Sequence, residues 1–328
     1  MRLLFTTAAG ILAAGSVHAA TWTLASHADY AFLDDNQTGL QMTQGVAWNA
    51  EANEWVTSWQ YGLARFTEDW QFIEASGRFD LETGRIVSGI PAALADRGFD
   101  HIGDFEIRDG IVHVPLDSAD DHYQNGHVAL FDAATLSYTG ALHEMMGAPT
   151  NRRDDVASWT AIDHETGLGY GKEWTLGDTL NVYDTTDWSY LGTLQMDQEL
   201  KRVQGAKVLD GMMYLSTDIG TKSVYSLDLA TGHVEELFQL PIFEGDIRFE
   251  TEGLALRELA DGGLEMFVEM VIDPDAVEGQ FDGYTRLYRY VLENDPAPVP
   301  VPAPVPVPAT LPLVLSGLAA FGLIRRRA

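Results

Sequence analysis

Gln44-Gly45-Val46-Ala47-Trp48 is the stretch on which the architecture turns, because it comes back. The same polar entry, glycine and apolar run return as Gln204-Gly205-Ala206-Lys207-Val208 and Glu252-Gly253-Leu254-Ala255-Leu256. Looser copies are Gly103-Asp104-Phe105-Glu106-Ile107 and Ser158-Trp159-Thr160-Ala161-Ile162. Their first residues are spaced by 59, 55, 46 and 48 positions. Each run is short, apolar and bounded by turn-forming residues, which is a strand signal rather than a helical one. A turn and a second strand follow in each case, as in Glu54–Trp59, Asp109–Val114, Gly211–Leu215 and Gly263–Val268.

A third strand then runs into an acidic turn, as in Val128–Thr135, Leu180–Thr186 and Val224–Gly232. In Asp228-Leu229-Ala230-Thr231-Gly232 the Asp can accept from its own backbone and the Gly can take a positive φ, so the segment reads as a hairpin turn. A fourth strand follows at Tyr190–Leu194 and His233–Phe238. Four antiparallel strands at a period near 50 residues is the arithmetic of a propeller blade. The expectation is an all-β, five-bladed β-propeller. A six-bladed ring is the alternative, with a degenerate blade in the interval Phe79 to Phe99. The fifth copy has three clear strands, the third at Thr285–Val291, and an orphan strand, Thr21–Ala25, precedes the first copy. Closure by that N-terminal strand would remove the free edges of an open sheet. In its repeat pattern the chain resembles secreted bacterial β-propellers, in particular the phytase-like, lactonase-like and calcium-activated nucleotidase groups.

Both ends read as addresses. Met1-Arg2, the apolar Leu3 to Gly15 and the small-x-small Val17-His18-Ala19 form a secretory signal peptide, expected over 1–19. After a propeller domain over 20–292 comes a Pro-alternating linker over 293–309, which should be extended at about 3.1 Å per residue. The segment 310–328 holds an apolar block, Leu311 to Ile324, of 14 residues, and then Arg325-Arg326-Arg327. That block is shorter than the roughly 20 residues of a comfortable membrane span, and the arginines would stay cytoplasmic. Val305-Pro306-Val307-Pro308-Ala309 with this apolar helix and basic stop resembles the VPLPA variant of PEP-CTERM sorting signals, with Val307 where that variant usually has Leu. The resemblance implies export through the inner membrane and processing by an exosortase-type protease. The product would be a cell-envelope protein, membrane-anchored or released. It implies nothing about the domain itself.

The chain has 20 Lys+Arg against 49 Asp+Glu. The two addresses carry four of the arginines and no acid, leaving a domain near −33. Such a surface repels nucleic acid and anionic lipid; no nucleic-acid partner is expected, and the ring should act as a monomer. There is no Cys, which excludes thiolate metal sites and thiol nucleophiles.

The inner strands should bring Gln44, Gly103, Ser158, Gln204 and Glu252 to a central channel, with Asp104 one step along. Asp104 and Glu252, with amide and hydroxyl oxygens and waters, form the candidate Ca²⁺ site, since that ion wants six to eight oxygens. The resemblance to calcium-carrying propellers points the same way. His101 and Asp104 are the candidate catalytic pair, His acting as base near neutral pH. Arg153, Lys172 and Glu173 complete a polar cluster for a ligand. The acidic loops 117–126 and 273–283 do not fit the EF-hand pattern, Gly167–Lys172 fails the phosphate-loop spacing, and no G-x-S-x-G elbow exists. With no complete catalytic motif, the leading expectation is a binding module. A calcium-dependent hydrolase of phosphoester, lactone or nucleotide is the first alternative. A glycan-binding protein using exposed Trp side chains is the second.

Overall fold

The structure is a computed structural model that describes residues 21–119, 123, 125–145, 157–175, 177–246, 248–272 and 283–293. The expected signal peptide, Pro-rich linker and sorting segment, and Arg153, lie outside the described residues.

Strands β1 (Thr21–Ala31), β2 (Gly45–Asn49), β3 (Glu54–Trp59), β4 (Gly62–Thr67) and β5 (Phe72–Ala75) open the domain. The short β6 (Arg78–Asp80), β7 (Arg85–Val87) and α1 (Ala92–Ala95) follow. Next come β8 (His101–Ile102), β9 (Glu106–Arg108), β10 (Ile111–Asp117), β11 (His127–Asp132) and β12 (Tyr138–Glu144). The third group is β13 (Ala161–Ile162), β14 (Leu168–Gly171), β15 (Thr179–Asp184) and β16 (Ser189–Gln195). The fourth is β17 (Val203–Leu209), β18 (Met212–Thr217), β19 (Ser223–Asp228) and β20 (Val234–Gln239), and β21 (Phe249–Glu258), β22 (Leu264–Ile272) and β23 (Tyr284–Glu293) end the domain.

These strands make five antiparallel blades around a ring. Blade 1 is β2-β3-β4-β5, blade 3 is β13-β14-β15-β16 and blade 4 is β17-β18-β19-β20. In blade 2 the inner strand is broken: β8 and β9 both pair with β10, outside which lie β11 and β12. Blade 5 is β21-β22-β23-β1. The N-terminal strand therefore closes the ring as the sequence predicts, in register from Thr21↔Glu293 to Ala31↔Tyr284. Arg286 fastens it, with Nε and Nη2 reaching the two oxygens of Asp29 at 2.7 and 2.9 Å.

Among the described residues the ring has no sixth blade. The interval Phe79 to Phe99 holds the two-stranded hairpin β6-β7 and α1 instead. Gln37 clamps the hairpin, donating to the Phe79 carbonyl and accepting from its N–H at 2.8 Å. Ile90, Leu94 and Phe99 then fill the core between blades 1 and 2. The long first interval is thus an insertion that packs on an existing blade.

Each seam between neighbouring blades has its own apolar core. Val56 and Leu63 meet Val112 and Phe131 between blades 1 and 2, and Val128 meets Ile162 and Trp188 between blades 2 and 3. Leu180 meets Met213 and Leu227 between blades 3 and 4, and Val224 meets Met266 and Tyr288 between blades 4 and 5. Trp55 and Phe66 meet Phe267 and Leu287 at the closing seam. There Trp55 stacks on Trp70 at 4.7 Å and 9°, and Arg257 lies over Trp48 at 5.1 Å. The tryptophans are packing residues first. The acidic turns behave as read: Asp228 accepts from Ala230 and Thr231 N–H at 2.8 and 3.1 Å, and Gly232 has φ +77°.

The returning glycines set how close the inner strands come. A Cβ on Gly253 would lie 2.5 Å from the Gly45 Cα and 2.9 Å from the Val46 nitrogen. One on Gly205 would lie 2.6 Å from the Leu254 nitrogen, and one on Gly45 would lie 2.7 Å from the Asp104 Cα. The inner strands touch backbone to backbone at this level, so the ring centre is closed rather than an open channel. Gly253→Ala would force two main chains apart. We expect it to cost at least the roughly 1–3 kcal/mol of an overpacked core, read as a lower thermal midpoint; a midpoint equal to wild type would contradict so tight a contact.

Candidate functional site

At the closed centre stands Asp104, in the break between β8 and β9. The break exists because Asp104 leaves β10 to bridge Trp159 of blade 3. The Asp104 N–H donates to the Ser158 carbonyl at 3.1 Å, and the Asp104 carbonyl accepts from Thr160 N–H at 2.9 Å. The carboxylate, fully buried, then reaches across the ring. Oδ1 accepts from Val46 N–H at 3.2 Å in blade 1. Oδ2 accepts from Ala206 N–H at 3.1 Å and from Lys207 Nζ at 2.7 Å in blade 4. Burial outweighs the Lys207 ammonium and pushes the Asp104 carboxyl up to about 6.

This arrangement corrects two expectations. The catalytic pairing of His101 with Asp104 does not form. His101 Nδ1 faces Asp117 Oδ1 at 2.8 Å, and its Nε2 faces Gln44 Oε1 at 3.0 Å. Asp117 pairs with His101 across β10 and β8, where Asp104 has already turned away. The candidate calcium pair does not fit an ion either. Both Asp104 oxygens are engaged, and a cation there would meet the Lys207 ammonium. Among the described residues no three Asp, Glu or His side chains converge as a metal site.

The other candidates on the face where the inner strands begin are built into local pairs. Gln204 Nε2 donates to Glu250 Oε1 at 3.0 Å, and burial raises the Glu250 carboxyl. Asp218 is neutralised by Arg202 and Lys222. Ser158 serves through its carbonyl as the acceptor for Asp104. Lys172 and Glu173 are buried just past β14, Lys172 Nζ donating to the Glu173 carbonyl at 3.1 Å; burial lowers the Lys172 ammonium to about 8. Glu252 is buried on β21 with its carboxyl raised well above the ordinary range, burial being the first cause. His113, buried between blades 2 and 3, accepts from Trp188 Nε1 at 3.3 Å, and burial lowers it to about 4.

The opposite face, where the inner strands end, carries what the sequence reading missed. A cavity of about 630 Å³ opens there, lined from all five blades. Seven carboxylates face it: Glu51, Glu106, Asp109, Asp163, Glu165, Asp210 and Glu258. Two bases share the lining, Lys207, whose Nζ is engaged by Asp104, and His164, which the contact with Glu106 at 3.8 Å raises. Trp48, Ile107, Val208, Leu209 and Leu256 give the walls an apolar share. The signal was present: each join between a first and second strand carries an acid, at Glu51, Asp109, Glu165 and Asp210 in the turns and at Glu258 where β21 ends.

Fold and site together define a five-bladed β-propeller with a closed centre and an acidic funnel at one face. The glutaminyl cyclase of Myxococcus xanthus is similar over 84% of this chain and 98% of its own, at 10% identity and a TM-score of 0.50. A calcium-binding protein, regucalcin, from Agrobacterium tumefaciens is similar over 78% of this chain and 92% of its own, at 11% identity and a TM-score of 0.49. At these identities the likeness concerns the fold alone. No family model and no curated protein matches the sequence. Among the described residues no helix is long and apolar enough to cross a membrane.

Proposed function

We propose that the domain is a binding module and that its ligand is an extended cation, such as a basic peptide or polyamine, held in the acidic funnel. The observation that carries this reading is the cavity of about 630 Å³ lined by seven carboxylates from all five blades. Walls of low dielectric focus the field of like charges and raise the local concentration of counter-charge. The carboxylates are distributed around the rim and do not converge, which suits several separated ammonium groups better than one calcium ion. The hydrolase alternative has less support, because both ring nitrogens of His101 already face acceptor oxygens.

The same proposal places the module in the cell envelope. Its support is the signal-peptide pattern and the VPLPA-type tail, processed by an exosortase-type protease. The mass of the protein recovered from an envelope fraction would show both cuts, and an intact C-terminus would speak against processing.

The ligand class is tested by calorimetric titration of the domain with an oligolysine peptide at low and at high salt. Binding should appear at low salt and weaken steeply as salt screens the rim. Glu51→Gln with Asp210→Asn should weaken it several-fold while leaving the melting temperature unchanged. A calcium titration in the same series should give no comparable heat. Absence of oligolysine binding at low salt, or binding indifferent to the double substitution, would sink the proposal.

A further inference from the structure

The centre of the ring is short of positive charge. Asp104, Glu252 and Glu269 are buried there and Lys207 is the one buried ammonium that the described residues place beside them. Lys207 is committed, to Asp104 Oδ2 at 2.7 Å and to the Ala206 carbonyl at 3.1 Å. Glu269 sits on β22 within the otherwise apolar run Phe267–Ile272 and is fully buried. Among the described residues neither of its carboxylate oxygens accepts a hydrogen bond of full geometry, the Gly253 N–H being the one donor close enough to act on it. Its Oε2 lies 2.7 Å from where a Gly253 Cβ would stand, and that same point is 2.5 Å from the Gly45 Cα. The carboxyl group thus fills the gap that Gly253 leaves, against the contact between blades 5 and 1. An ionised carboxylate supported by a single main-chain N–H cannot be held in such a place at tolerable cost; a buried group of this kind neutralises instead.

We infer that the seam between blades 5 and 1 is closed by a proton held on Glu269, and that the ring loosens at this seam when the proton is lost. Burial raises the Glu269 carboxyl well above the ordinary glutamate range, with Asp104 acting in the same direction and Lys207 and the Gly253 N–H against it. Glu252 lies on the neighbouring β21 and is raised likewise; Glu250 and Asp218, which add to its shift, have Arg202 and Lys222 beside them. The sign follows from linkage. A group whose folded value exceeds its unfolded value contributes stability that is complete below the unfolded value, about 4.3 for glutamate. That contribution disappears as pH rises through the raised folded value.

The test is the thermal midpoint of the wild-type domain and of Glu269→Gln from about pH 4, near the unfolded value, into the alkaline range. The wild type should lose several degrees, with faster amide exchange in β2 and β21. Glu269→Gln, which copies the neutral acid, should lose markedly less. A flat wild-type profile, or a variant that falls in parallel with the wild type, overturns the inference. Should Glu269→Gln fail to fold, infrared spectra of Glu252→Gln decide. A protonated-acid carbonyl band at neutral pH that vanishes on alkalinisation supports it, and no such band overturns it.

Discussion

Deleting Thr21–Ala31 should abolish the cooperative fold. The deletion strips β23 of its partner from Tyr284 to Glu293, leaving a long unpaired edge of the kind that templates aggregation. It removes Trp22, which packs edge-on against Tyr214 at 5.8 Å in the core between blades 4 and 5; losing a buried Trp costs about 3–5 kcal/mol. It also takes Asp29 from Arg286, a buried guanidinium left with Asp246 as its one carboxylate among the described residues. Together these losses are of the size of a domain's whole stability, about 5–15 kcal/mol. Circular dichroism melting and size-exclusion chromatography of the truncated domain should show a non-cooperative or aggregated chain, and a synthetic peptide of residues 21–31 should restore cooperativity. A truncated domain that melts sharply near the full-length temperature would contradict the closure.

Lys207→Met should cost about 3–5 kcal/mol, the penalty for leaving a buried carboxylate without its partner. Asp104 would keep the Val46 and Ala206 N–H groups but lose the one cation that the described residues place on it. The deficit should shrink as pH falls. Asp104 already sits at about 6 in the folded state, above the ordinary 3.8, and without Lys207 it would take up a proton more readily still. Asp104→Asn in the same chain should recover part of the loss, since a neutral amide needs no counter-charge. Urea melts of the four members of this double-mutant cycle measure the coupling. A Lys207→Met cost under about 1 kcal/mol would mean that the ring centre tolerates the lone charge, against the usual penalty.

How much of this was legible depended on whether the cause was local. The inner strands showed themselves because each starts with a glycine or small polar residue that neighbouring backbones require, as at Gly45, Gly205 and Gly253. The turns were legible because Asp228 and its counterparts bond within four residues. Closure by β1 followed from counting strands. The insertion at Arg78–Val87 kept a sixth blade open as the alternative, because a two-stranded hairpin and a short blade look alike in composition. The ring centre was not legible because its contacts are remote: Asp104 meets Lys207 103 residues on, and nothing near His101 marks Asp117 as its partner. Two hints were present. Lys207 takes a place that Ala47 and Ala255 fill in the sister repeats, and Glu269 interrupts an apolar strand. A charge where repeats have alanine marks a tertiary ion pair, whose partner only the fold can name.

The pairing of β1 with β23 sets the order in which the molecule can be made. Asp29 and Arg286 are 257 residues apart in sequence, so the last blade must wait for nearly the entire domain to be synthesised. A chain that appears from its N-terminus, on whichever side of a membrane it folds, therefore forms an open arc whose first strand has no place to go until the final one arrives. Contacts of such long separation are the slow ones to form. The ring closes only when the first and last strands of the domain meet, and until then the polypeptide is an arc rather than a ring.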